Sequence, residues 1–223
     1  MNRLLLLTLF GMLPFSLFAQ LERKLVDENQ PVELIFHAPR HINLLTVEPL
    51  SKKTMHFAIM HTFGTLDGGI QNLFGLDNGA NIQFSFEFAL NDKLSVAASR
   101  SSRDKVYNLF GRYHIFQQTQ NGKFPFSLSL AGGAGVNTSK YAFLPEPAPN
   151  FSDRMSYFGQ VMLARKFSPK ISFQLTPMMA YFTDPRVVYQ IEGTENFYVA
   201  LGFSGKLKVT DRSSLSLQYI PNL

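Results

Sequence analysis

Asn81-Ile82-Gln83-Phe84-Ser85-Phe86-Glu87-Phe88-Ala89-Leu90, followed by Asn91-Asp92-Lys93 and Leu94-Ser95-Val96-Ala97-Ala98-Ser99-Arg100, is the stretch whose reading decides the fold. Successive side chains of a strand point to opposite faces, so Ile82, Phe84, Phe86, Phe88 and Leu90 share one face. Asn81, Gln83, Ser85, Glu87 and Ala89 share the other. Asn-Asp-Lys suits a tight turn, and the alternation resumes in an antiparallel partner that sets Leu94, Val96 and Ala98 beside the phenylalanines. A soluble sandwich would hide that apolar face against a second sheet. A membrane barrel would turn it to lipid and keep the Gln/Ser/Glu face inside.

The same period of two runs outward in both directions. Residues 54–63 put Met55, Phe57, Ile59 and Phe63 on one side, and residues 105–118 put Tyr107, Leu109, Tyr113 and Ile115 opposite Asn108, Arg112 and His114. Residues 124–137, 155–167 and 171–182 continue it, as do runs from Phe197 to Ser204 and from Leu215 to Tyr219. The lipid-facing set of a barrel then includes Ile82, Phe84, Phe86, Phe88, Leu128, Leu130, Phe173, Leu201 and Phe203. Pro177 inside its run predicts a bulge or a lost ladder bond. Connections after Leu90, Gln118, Phe167 and Val209 are tight, those after Phe63, Asn137 and Phe182 are long, and the one after Ser99 breaks the rule. Bacterial outer-membrane barrels sort their connections in this way, with short turns periplasmic and long loops outside. The pattern therefore predicts an all-β, antiparallel, up-and-down transmembrane barrel.

About nine strands are counted, while bacterial single-chain barrels carry an even number. The chain ends at Pro221-Asn222-Leu223 without a final strand closed by an aromatic. The expectation is a barrel of about ten or more strands when complete, with C-terminal strands missing here.

Residues 1–19 combine Arg3, an apolar run and Ala19, which reads as a cleaved secretory signal peptide. Residues 20–51 have weak periodicity broken by Pro31, Pro39 and Pro49, and are either a periplasmic arm or a plug in the lumen. Residues 52–223 form the barrel domain. Cysteine is absent, which excludes disulfides and thiolate metal sites. The net charge of +5 is dispersed, so nucleic acid is not an expected partner.

His61-Thr62-Phe63-Gly64, Asn72-Leu73-Phe74-Gly75-Leu76-Asp77, the hairpin through Asn91-Asp92-Lys93-Leu94-Ser95-Val96, and Arg100-Ser101-Ser102 occur in one order. In that order the chain resembles a family of uncharacterised Bacteroidetes-type β-barrel proteins (domain of unknown function 5777), best over residues 42–118. The resemblance implies an outer-membrane barrel, carries no catalytic residues, and implies a longer C-terminus. The family's usual basic residue after the histidine is Thr62 here, so no role is carried over to that pair.

Candidates for chemistry are few. His56 and His61 fall on opposite faces of one strand, and Pro39 forbids the helix that would align His37 with His41, so neither metal nor cofactor is expected. Pairing Leu90 with Leu94 and Ser101 with Asp104 sets Glu87, Ala97 and Asn108 at one level of the lumen, with Arg112 and His114 further along. Glu87, Asn108, Arg112 and His114 are expected to form a polar network, Glu87 pairing with Arg112 or Lys166. Ser85, Ser99 and His114 are the residues a barrel-borne lipid hydrolase would use. Tyr107, Tyr113, Tyr157, Phe63 and Tyr219 suit membrane interfaces, and Arg100, Lys105 and Arg154 suit lipopolysaccharide phosphates at the outer rim. The expected role is non-enzymatic: structural, or porin-like permeation or binding of a small solute in the outer membrane of a Gram-negative bacterium. The alternatives are the hydrolase and a soluble periplasmic β-sandwich holding an apolar ligand.

Overall fold

The structure is a computed structural model that describes residues 29–221 apart from 65, 78, 104, 141–147 and 188–194. The leader region falls outside the described residues. Two short strands, β1 (Arg40–His41) and β2 (Leu44–Leu45), form a minimal hairpin. Nine strands follow: β3 (Met55–Thr62), β4 (Asn81–Ala89), β5 (Leu94–Ser101), β6 (Val106–Phe116), β7 (Ser127–Asn137), β8 (Met155–Lys166), β9 (Ile171–Phe182), β10 (Phe197–Lys208) and β11 (Ser214–Tyr219). They form one antiparallel sheet in sequence order, a meander from β3 to β11, and the sheet is not closed.

The period of two sorts the faces as read from the sequence. Phe84, Phe86, Phe88, Leu130 and Phe173 are exposed on the outer face, where Ile82, Leu128, Leu201 and Phe203 are half-buried among them. Outer aromatic pairs such as Phe57 on Phe86, stacked at 4.6 Å, cross adjacent strands. On the inner face Ser85, Glu87, Ser95, Ser99, Arg112, Ser129, Gln174 and Ser204 are buried.

The first hairpin has the expected register, with Glu87 opposite Ala97. The next differs. Ser99, not Ala97, pairs with Asn108, and Ala97 pairs with Phe110. The reversal at residues 102–105 is wider than a two-residue turn because Asn81 Oδ1 accepts from Arg103 N at 2.9 Å and Ser101 Oγ donates to Arg103 O at 2.8 Å. The shift is by two, so every side chain keeps its face and Asn108 moves away from the level of Glu87. β7 begins at Ser127, later than expected, since Pro125 has no N–H for the ladder. At Pro177 the register to β8 is kept on both sides, Gln160 to Met178 and Leu163 to Leu175, and the pairing between is lost. Proline costs a ladder bond there without adding a residue.

Gly133 and Gly205 show where the sheet tolerates side chains. A Cβ on inward Gly133 would stand 2.2 Å from Leu109 O and 2.5 Å from Phe110 Cβ, whereas nothing lies within 4 Å of one on Gly205. Gly133→Ala should therefore destabilise by about 1–3 kcal/mol or more, while Gly205→Ala stays near neutral, as read by denaturant unfolding of the detergent-solubilised protein.

Candidate functional site

Residues 29–50 lie against the polar inner face. Their apolar side chains supply part of the reason. Ile35, Phe36, Leu45 and Val47 are buried and form one cluster with Ala97, Phe110, Ala131, Met162 and Ala164 of the sheet. Burying each large apolar side chain contributes about 1.5–3 kcal/mol. The inner face thus carries an apolar patch where this segment sits, and Gly202 makes room for it. A Cβ at Gly202 would come within 2.6 Å of Leu44 Cδ1.

The segment has little secondary structure, so its backbone must find partners elsewhere. The sheet provides them through side chains. Gln174 donates to Leu45 O at 2.8 Å and accepts from Val47 N at 3.1 Å, reproducing the pairing of a strand edge with one amide. Lys166 donates to Glu33 O at 2.8 Å and Lys206 to Leu34 O at 2.7 Å. Gln218 Oε1 accepts from Asn43 N at 2.9 Å, His37 Nε2 lies 3.0 Å from Ser214 Oγ, and His41 Nε2 lies 3.3 Å from Leu217 O. The segment therefore reaches from β6 across to β11.

Its central fastening is Arg112. One guanidinium nitrogen donates to Pro39 O at 2.8 Å and Thr46 O at 2.9 Å, the two ends of the short hairpin, and the other binds Glu87 Oε1. Ser95 donates to the same carboxylate oxygen at 2.5 Å. Arg112 is 1% exposed, so water cannot replace these bonds. Within the hairpin Ile42 takes φ +56°, a left-handed conformation that a β-branched residue tolerates poorly and that the anchors on either side hold in place.

The four residues read as a lumenal network are thus placed in three groups. Glu87 and Arg112 form the buried pair, and Lys166 goes to Glu33 instead. Asn108 Nδ2 is 3.4 Å from Ser99 Oγ, nearer the opposite end of the sheet. His114 Nδ1 is 2.8 Å from Ser129 Oγ, so the triplet Ser85, Ser99 and His114 is not assembled. Ser129 and His114 are 1% and 4% exposed. Among the described residues no cluster of metal-ligating side chains occurs. Sequence reasoning passed over Gln174, Lys206 and Gln218, whose signal was long polar side chains at inward positions opposite a proline-broken segment.

The fastened segment occupies the half of the sheet nearer the turns at 90–93, 167–170 and 209–213. The other half, towards the long connections, keeps two adjoining hollows that share Asn108 and Phe158 in their walls. Val187, in a turn of the connection after β9, is buried at their mouth, where Asn137 Nδ2 donates to its carbonyl at 2.8 Å.

A meander with an apolar outside and a polar inside is the wall of a membrane-bound β-barrel. The chain belongs to the family described as membrane bound beta barrel domain (DUF5777), whose model matches residues 36–223. The family and the all-β antiparallel architecture read from the sequence are both borne out. No curated protein and no solved structure matches the chain.

Two measurements check this account of the fastening. Glu87→Ala should cost about 3–5 kcal/mol, because it leaves the Arg112 charge buried and unpaired, and Glu87→Met with Arg112→Met should cost less than Glu87→Ala in the same unfolding assay. Ile42→Gly should raise stability by about 1 kcal/mol by removing the left-handed strain, read as a higher denaturation midpoint.

Proposed function

We propose that the protein is an outer-membrane β-barrel, exported by a cleaved leader, that binds or gates a small solute and performs no chemistry. The observation that carries this is the unequal filling of the inner face. One half is occupied by the chain's own residues 29–50 and the other is a cup, polar beside Arg40 and more apolar towards the long connections. An open diffusion pore would keep water along its whole length. The sorting of connections supports the orientation, with the cup facing the long-loop, outer side and the fastened segment facing the periplasm.

Arg100 supports an outer rim on that side. Its guanidinium lies over the Tyr107 ring at 5.6 Å on the apolar face, as an interfacial residue able to meet lipopolysaccharide phosphate would. Arg154 is turned to the carbonyl of Ser139 at 2.7 Å, which leaves Arg100 the better candidate for that contact. The hydrolase reading has one contact in its favour, Ser129 with His114, but a nucleophile must reach its substrate and both side chains are buried.

Membrane fractionation and planar-bilayer recording test the reading together. The full-length protein should resist a salt wash, require detergent, and change gel mobility on boiling. It should show little steady conductance. Arg112→Met combined with Gln174→Ala should raise conductance by loosening residues 29–50. Extraction by salt alone, or porin-like conductance from the unaltered protein, would overturn the reading.

A further inference from the structure

We propose that the cup above the fastened segment binds a small hydroxylated carboxylate, a sugar acid in size and chemistry, with Arg40 as the anion contact. This rests on the plugged-barrel reading and names the class of solute.

The size of the site comes first. The two adjoining hollows measure about 260 Å³ and 220 Å³. Sites for drug-sized ligands run to roughly 300–1,000 Å³, so each hollow suits a ligand of a few carbon atoms, and the pair suits one ring with a substituent.

The hollow that holds Arg40 carries polar groups beside Phe110 and Phe158, and the adjoining one is more apolar, with Val106, Met155, Phe182 and Val187 in its wall. Gln83, Ser99, Asn108 and Gln160 contribute amide and hydroxyl groups to the deeper hollow. Gln83 Nε2 and Asn108 Nδ2 both lie within hydrogen-bond distance of Ser99 Oγ, at 3.2 and 3.4 Å, which holds the three as one patch. Amides offer donors and acceptors together, as a ligand with several hydroxyls requires. Phe158 stands beside them, set edge-on to Phe110 at 5.8 Å, and gives the apolar face that a sugar ring's C–H groups need.

Charge decides the class. Among the described residues no carboxylate lines either hollow, while Arg40 lines the deeper one. Glu87, a buried carboxylate of the inner face, is already held by Arg112 in an ion pair. Arg40 has no ion-pair partner among the described residues. One Arg40 nitrogen, Nη1, donates to Asn43 O at 3.0 Å. A guanidinium has five N–H groups, so the planar fork retains donors for a carboxylate. Arg40 is half-buried, and a half-buried cation with no carboxylate in its hollow favours an anionic solute over a neutral sugar.

Isothermal titration calorimetry of the full-length protein, refolded in detergent and first checked for heat-modifiable mobility, tests this with glucuronate, glucose and glucosamine. Glucuronate should bind with Kd of about 1 mM or tighter and at least about tenfold better than the other two. Arg40→Gln should remove that preference and Arg40→Lys should keep part of it. Asn108→Leu, on the wall rather than on the fastened segment, should weaken glucuronate with Arg40 intact. Equal binding of glucose and glucuronate, no binding by protein whose mobility shifts, or unchanged binding by Arg40→Gln would each overturn the proposal alone. Mobility unaffected by boiling would overturn the barrel reading, and this site with it.

Discussion

The Arg112 guanidinium joins the wall of this protein to what fills it. A charge removed from water needs bonded partners, and here both terminal nitrogens have them, Glu87 from the same sheet and two carbonyls from the N-terminal segment, while Nε is buried without one. The sheet's own ion pair is incomplete as a set of hydrogen bonds until Pro39 and Thr46 arrive. Of those carbonyls, Pro39 O also accepts from Thr46 N across the short hairpin at 2.9 Å. Specificity of placement follows: a segment almost without regular structure is located by the directional needs of a few polar groups, and its apolar side chains are buried in the same place.

The inner face consequently has two characters. Where residues 29–50 sit, Ala97, Ala131, Met162 and Ala164 form an apolar patch among the polar side chains that fasten the segment. Towards the long connections the lining returns to Gln83, Ser99, Asn108 and Gln160. The same strands carry both, so the difference lies in which inward positions are small and apolar. Phe110 and Phe158 mark the boundary, each belonging to one side and touching the other.

Much of the wall was legible in the sequence because a strand's alternation is local. Phe84, Phe86 and Phe88 declare their face without reference to any distant residue. Register across the reversal at 102–105 was less so, since it depends on how Asn81 ties Arg103, a contact between residues far apart in the chain. The placement of residues 29–50 was least legible. Their partners Lys166, Gln174, Lys206 and Gln218 are distant in sequence, and an isolated reading of Pro31 and Pro39 serves an arm as well as a plug. The pairing of Glu87 with Arg112 was one of two options, and the structure shows that Lys166 is taken by Glu33.

The reach of the N-terminal segment has a bearing on how the molecule is assembled. His37 meets Ser214 across 177 positions of chain, and His41 meets Leu217 across 176. Contacts of such separation form late, after the intervening loops have been closed. The portion of these residues that leaves the ribosome first is accordingly the portion that completes its bonding last. Until β11 is laid down, His37, His41, Asn43 and Leu44 lack the partners that Ser214, Leu217 and Gln218 supply.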